Sequence, residues 1–207
     1  MEFININDIS FSIHQDDLIS NIIKSTNDFY EIEIFRAFKS LIPTSGVFLD
    51  IGANIGNHSL MFAVNFTGIE IYSFEPSIVN FPLLHRNLQS FSNVYPLNVA
   101  IGSKCGIVSL SENDPLNKGG ISISKSGQKV PIMNLDSFDL QNVSFMKIDV
   151  EGHEYSVLEG AIKLIKNNKP VIWIEDYNGH SVSYLKELNY EIALEGPYYN
   201  FLLIPKY

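Results

Sequence analysis

Apolar and polar residues alternate at Ile9, Phe11 and Ile13, which predicts an accessory strand or hairpin in the first dozen residues. From residue 16 to residue 41 the period lengthens. Leu18, Ile19, Ile22, Ile23, Phe29, Ile32, Phe35 and Phe38 recur at helical spacing, and the pattern stops before Pro43, predicting a helical cap. Short apolar runs then take turns with helical stretches: strands over 47–51, 70–74 and 94–99, helices over 59–66 and 77–91. Between 102 and 130 this rhythm breaks. NDPLNKGG and KSGQK mark turns between short strand-like pieces such as 106–110, which predicts an insertion or edge hairpin bordering a substrate. The rhythm resumes with a strand over 145–150, a helix over 155–166, a strand over 171–175 and a helix over 182–188. Closing strands over 190–194 and 201–204 are joined through Gly196-Pro197, a loop short enough to require antiparallel pairing.

Strands alternating with helices predict an α/β fold of three layers, with a mostly parallel sheet between helices. No internal repeat and no long linker divides the chain. The reading is a single compact unit, with a strand and helical cap over 1–43 and the main domain over 44–207. The 207 residues are 45% hydrophobic and 18% charged, enough for one substantial core. A net charge of -9 argues against a nucleic-acid backbone as partner, because that binding rests on clustered Lys and Arg. Cys105 is the only cysteine, which excludes an intramolecular disulfide and a Cys-rich zinc site. The start MEFININDIS has neither a basic start nor an apolar segment, and no apolar run approaches the roughly 20 residues that span a bilayer. The expectation is a cytoplasmic protein without membrane insertion.

The densest chemistry lies in VFLDIGANIGNHS, residues 47–59. A strand ends in Asp50, a tight loop carries Gly52, Asn54 and Gly56, and a helix starts at Ser59, which together describe a cofactor cradle. A dinucleotide loop has glycine where Asn54 stands, although Asn tolerates left-handed backbone. The acid before the turn would repel a pyrophosphate. It suits a ligand bearing ammonium and sulfonium charge, as S-adenosylmethionine does. About 20 residues after the loop, Glu75 ends the second strand and Pro76 terminates it, placing an acid where it can accept hydrogen bonds from ribose hydroxyls. Asn98, Val99 and Ala100 close the third strand where an adenine pocket would lie.

DIGANIGNHS, FEP at 74–76, LDSF at 135–138, MKIDVEGHEYSVLEGA at 146–161 and VIWIED at 171–176 together resemble the FkbM family of S-adenosylmethionine-dependent O-methyltransferases. The similarity covers roughly residues 29–205, and KIDVEGHE is its most specific element. It implies a Rossmann-like methyltransferase fold with a seven-stranded sheet whose last strand is antiparallel. It also implies methyl transfer to a hydroxyl, often on a sugar or a glycosylated product. Tyr30 and Glu31 match a recurring FYE element of the family and are expected to close over the methionine end of the cofactor. Segment 102–130 and the N-terminal segment show no family pattern, so the acceptor is not transferable.

Methyl transfer to an alcohol needs the oxygen positioned and its proton removed. Asp149, at the C-terminal end of its strand, is the first choice at the reacting centre, since ligands of open parallel sheets bind there. Lys147 shares its strand face and would keep it ionised, or belongs to an ion-pair network that fastens the strand ends. His153 titrates near neutral pH and is a second candidate base, or an exposed helix-start residue. Glu175 and Asp176 end the neighbouring strand; with Asp149 they offer oxygen ligands to a divalent metal ion as an alternative. Tyr198 and Tyr199 fall in the final turn, lining an acceptor cleft or serving an oligomer contact. A carbohydrate or small-molecule acceptor is expected. The rival readings are a non-catalytic cofactor-binding protein of the same fold and a nicotinamide oxidoreductase, the latter opposed by Asp50.

Overall fold

The structure, a computed structural model, describes residues 2–6, 9–111, 120 and 122–206. β1 (Glu2–Ile6) and β2 (Ile9–Ile13) pair as an antiparallel hairpin, as the alternation predicts. The single helix expected over 16–41 is two: α1 (Leu18–Thr26) and α2 (Ile32–Phe38). Asn27 (φ 52°) and Glu31 (φ 60°) take left-handed backbone between them, which a continuous helix cannot contain. Asn27 donates its N–H to Ile23 O at 2.9 Å and closes α1, while Asp17 caps the other end through Ser20 N at 3.0 Å.

The alternating core follows: β3 (Ser45–Ile51), α3 (Asn57–Asn65), β4 (Gly68–Phe74), α4 (Phe81–Leu88) and β5 (Val94–Leu97). β5 stops two residues short of the predicted end. The chain leaves the main sheet at Asn98 and forms β6 (Ala100–Ile101), which pairs with β9 (Gln128–Met133) beside β7 (Gly106–Leu110) and β8 (Ile123–Ser124). This second sheet is the expected insertion; of its NDPLNKGG stretch, residues 113–119 lie outside the described residues.

β10 (Val143–Ile148), α5 (Glu154–Glu159), α6 (Ile162–Asn168), β11 (Val171–Glu175), α7 (His180–Glu187), β12 (Tyr190–Glu195) and β13 (Asn200–Pro205) complete the chain. The predicted helix over 155–166 breaks at Gly160, whose carbonyl accepts from Asp136 N at 2.9 Å and which packs so tightly that a Cβ would fall 2.0 Å from Gly102 O. Asp136, in the LDSF segment, then caps the second piece by accepting from Leu164 N (2.9 Å) and Lys163 N (3.1 Å).

Among the described residues the main sheet runs β12-β13-β11-β10-β3-β4-β5, with β13 antiparallel to both neighbours and the other adjacent pairs parallel. Alternate residues of each strand serve opposite faces. Phe48, Phe145 and Trp173 pack with the hairpin, α1, α2 and α3, whereas Leu49, Met146, Ile148, Ile172 and Ile174 pack with α5, α6 and α7. Rings interlock on the first face: Phe48 lies 4.9 Å from Phe145, and Trp173 meets Phe38 edge-on at 5.3 Å. The second sheet has its own small core of Ala100, Leu110, Val130 and Ile132.

Candidate active site

The face that buries Phe48, Phe145 and Trp173 continues, two residues further along each strand, into charge. Asp50, Lys147 and Trp173 stand side by side in register across β3, β10 and β11. Two residues beyond Lys147 and Trp173 come Asp149 and Glu175, at the C-terminal strand ends. Lys147 is almost wholly buried; its Nζ donates to Asp149 Oδ2 at 2.9 Å and lies 5.9 Å from the centre of the Trp173 ring. Burial opposes charge on this ammonium, but the carboxylates of Asp149, Asp50 and Glu31 outweigh it and raise its pKa. Burial likewise works against ionised Asp149, and the Lys147 ion pair overcomes it, leaving Asp149 below the usual carboxylate range. Glu175 goes the other way: burial and the neighbouring Asp149 charge push it up to about 8, and its carboxyl hydrogen-bonds Asp149. Asp149 and Glu175 thus titrate as a pair, and the Lys147 ammonium favours the anion on Asp149.

The glycine loop forms the adjoining wall. Gly52 (φ 86°) leaves no room for a side chain, since a Cβ would lie 1.8 Å from Asp149 O. Asn54 (φ 51°) supplies the left-handed residue that the turn needs. Glu75 is buried at the end of β4: Oε2 accepts from Asn54 N and Oε1 from Ser77 N, both at 2.8 Å. Burial pushes its carboxyl up to about 7 despite those two donors. Gly52, Asn54, Glu75, Pro76, Lys147, Asp149, Glu151 and His153 line one pocket together with Ile19 and Tyr30 of the N-terminal segment and Ile101, Leu110 and Ile123 of the second sheet.

Tyr30 is held there by Asn57, whose side chain accepts from Tyr30 N (2.9 Å) and donates to Tyr30 O (3.0 Å). Burial, then the carboxylates of Glu31, Asp149 and Glu175, raise the Tyr30 pKa, so its hydroxyl stays protonated above the acid cluster. The Glu31 side chain is nearly buried, and Oε2 meets His58 Nε2 at 3.1 Å without hydrogen-bond alignment.

Other residues singled out from the sequence sit elsewhere. Ser59 lies behind the site, its hydroxyl donating to Asp50 Oδ2 at 2.5 Å and meeting Ser73 Oγ at 2.6 Å, while Asp50 Oδ1 is buried without a partner. Asn98 is exposed and braces the backbone, donating to Glu75 O at 2.8 Å. Ala100 is absorbed in the core of the second sheet; its neighbour Ile101 reaches the pocket instead. Asp176 departs most from expectation. It is buried, and Oδ2 accepts from Val182 N at 2.8 Å, so it caps α7 rather than joining Asp149 and Glu175. Among the described residues no three His, Cys, Asp or Glu side chains are placed to hold a metal ion. His153 precedes α5 and lines the pocket; burial lowers its pKa and keeps the ring neutral at pH 7, with Nε2 buried and unpartnered beside Gly102. Asn57, Leu110 and Ile123 are pocket-forming residues that carry no sequence signal of their own.

A methyltransferase FkbM domain model matches residues 50–192. A hexuronic acid methyltransferase, AglP, of Haloferax volcanii is 26% identical over 149 residues, 69% of this chain and 61% of the relative. The crystal structure of an FkbM methyltransferase from Methylobacillus flagellatus superposes with a TM-score of 0.59 at 21% identity, over 77% of this chain and 43% of the other. A precorrin-6y C5,15-methyltransferase from Geobacter metallireducens gives 0.52 at 16% identity, over 83% and 85%. The chain thus spans under two thirds of the first two of these relatives. With the strand order, and the glycine loop, Asp149 and Glu151 in one pocket, the match over most of its length places this chain in the FkbM methyltransferase family.

Proposed function

We propose that the chain transfers a methyl group from S-adenosylmethionine to a hydroxyl of a sugar or glycan. The residues present fit that cofactor: the carboxylates of Glu75, Asp149 and Glu151 line the pocket and suit a cationic ligand, whereas Asp50 is buried behind the lining and adds negative potential beside Lys147 without facing the pocket. When bound, S-adenosylmethionine supplies a methyl group on a sulfonium sulfur whose positive charge disappears on in-line transfer.

This chain's own residues account for the rest. Glu75 offers its remaining acceptor capacity to ribose hydroxyls, and the backbone from Gly52 to Gly56 seats the nucleoside beside it. Tyr30 and Glu31 close the opposite end and exclude water from the reacting oxygen. Asp149 accepts the acceptor's proton, Lys147 keeps it ionised for that step, and Glu175 orients it through their shared hydrogen bond. The observation that carries this reading is that the Lys147–Asp149 pair faces the same pocket as Gly52 and Glu75. The sugar acceptor follows the hexuronic acid methyltransferase relative in chemical class.

Calorimetry with S-adenosylmethionine and with NAD, followed by labelled-methyl transfer to a panel of saccharides, tests it. Affinity for S-adenosylmethionine alone and label retained on a glycan are the expected results. NAD binding without S-adenosylmethionine binding would overturn the assignment.

A further inference from the structure

Beside the reacting carboxylates lies a patch of aromatic surface that the reading above does not use. Tyr177, Tyr198 and Tyr199 are 78%, 75% and 51% exposed, and the rings of Tyr177 and Tyr199 meet edge-on with centroids 4.7 Å apart. The patch lies outside the pocket lining and starts at the strand end that carries Glu175. Glu175 pairs in register with Asn200, and Asp176 N donates to Tyr199 O at 2.9 Å, so the tyrosines begin where the Glu175–Asp149 pair ends.

The turn is rigidly built. Tyr198 (φ 56°) and Tyr199 (φ 60°) both hold left-handed backbone, which bulky L residues rarely adopt and which persists only where the surroundings dictate it. Here buried Asn200 does so: it accepts from Trp173 Nε1 at 2.5 Å and donates to Pro197 O and Tyr198 O at 3.2 and 3.4 Å. A strained turn that presents aromatic rings to water marks an interaction surface.

We infer that this turn is a saccharide subsite: the Tyr177–Tyr199 pair seats the sugar ring next to the one being methylated, and the acceptor is an uncharged or amino-bearing oligosaccharide rather than a uronate. The inference rests on the sugar methyltransferase reading of the pocket. A pyranose offers a face of C–H groups that packs on an aromatic ring, while its hydroxyls reach tyrosine hydroxyls and carboxylates at the edge. Charge sets the second half. Asp149 and Glu151 line this end of the pocket, and among the described residues Lys147 is the one Lys or Arg lining it, already paired with Asp149. A uronate carboxylate meets like charge there, and among the described residues no unpaired Lys or Arg lines the pocket to receive it.

The test is calorimetry and saturation-transfer NMR of a neutral hexose disaccharide and its amino-sugar and hexuronate counterparts, using the wild-type chain, Tyr177→Ala and Tyr177→Phe. The neutral and amino disaccharides should bind, the hexuronate at least about tenfold more weakly. Tyr177→Ala should weaken the neutral disaccharide by roughly tenfold at an unchanged melting temperature, and Tyr177→Phe should keep most of the affinity. Equal or tighter hexuronate binding overturns the inference, as does wild-type affinity in Tyr177→Ala. So does a dimer, dispersed by Tyr177→Ala in sedimentation, with no saccharide affinity, which assigns the patch to a second copy of the chain. Affinity for S-adenosylmethionine is read separately: its loss with saccharide binding intact removes the methyltransferase reading and leaves the subsite, and the reverse removes the subsite alone.

Discussion

Lys147 Nζ stands 2.9 Å from Asp149 Oδ2, and the two partners differ in their access to solvent: the lysine side chain is 2% exposed, the aspartate 27%. The charge that is locked away serves the one that faces the pocket. Lys147→Met keeps the stem and removes the ammonium, leaving an uncompensated carboxylate, a loss that costs about 3 kcal/mol for a buried pair. Asp149 then titrates higher. The acid limb of the turnover profile should move to higher pH; an unmoved limb would show that Lys147 does not set the ionisation of Asp149.

Asp149→Asn tests the proposed proton acceptor while keeping its shape. Turnover should fall by about 100-fold or more, with affinity for S-adenosylmethionine within a few-fold of wild type. Steady-state rates together with calorimetry check both halves. Wild-type turnover would move the proton transfer elsewhere, with His153 next in line.

Asp176 separates a cap from a catalyst. Because its carboxylate accepts from Val182 N, Asp176→Ala should cost about 1 kcal/mol of stability and leave turnover per folded molecule unchanged. A collapse of kcat at unaltered melting temperature would return Asp176 to the reacting centre.

Stability and cofactor affinity should respond oppositely to pH. Glu75 and Glu175 are pushed up from the ordinary 4.5 to about 7 and about 8, so the folded chain holds protons that the unfolded chain has released. Folding takes up protons between those values, and the stability of the ligand-free protein falls as pH rises across the window. Glu75 as an acceptor for ribose hydroxyls must be ionised, so affinity for S-adenosylmethionine should climb through about pH 7. Melting temperatures from about pH 5.5 to 8.5 should decline, less steeply in Glu75→Gln. A rise over that range contradicts the assignment.

Gly52→Ala should not yield a functional pocket. The added Cβ collides with Asp149 O, backbone rather than a yielding side chain, and the residue must also hold φ 86°. A loss of roughly 3 kcal/mol or more is expected by chemical denaturation, together with loss of cofactor binding; a stable variant with intact binding would show that loop and β10 can separate.

Much of this was legible because it repeats locally. Alternating strands and helices, the antiparallel close through Gly196-Pro197, and Asp50, Gly52, Glu75 and Asp149 at strand ends all follow from short-range pattern. What was not legible depends on partners distant in sequence. The helix breaks at Gly160 where the distant Asp136 N takes its carbonyl, and Asp176 turns aside because α7 starts with amides to satisfy. Ile101 rather than Ala100 reaches the pocket because β5 ends early and the chain crosses into a second sheet. Nothing in the neighbourhood of either residue in the sequence distinguishes them.

Two asparagines fasten the N-terminal segment to the loop that forms the pocket floor. Asn57 grips both polar groups of the Tyr30 backbone, and Asn87 bridges Ser12 N (2.7 Å), Ser12 O (2.9 Å) and Ile55 O (2.7 Å). The segment shares its core with Phe48 and Trp173. The step in sequence pattern near residue 43 is therefore no seam along which the molecule divides. A chain begun at residue 44 would keep the glycine loop and lose Ile19 and Tyr30 from the pocket lining, and the same cut would strip the apolar cover from the face that carries Lys147.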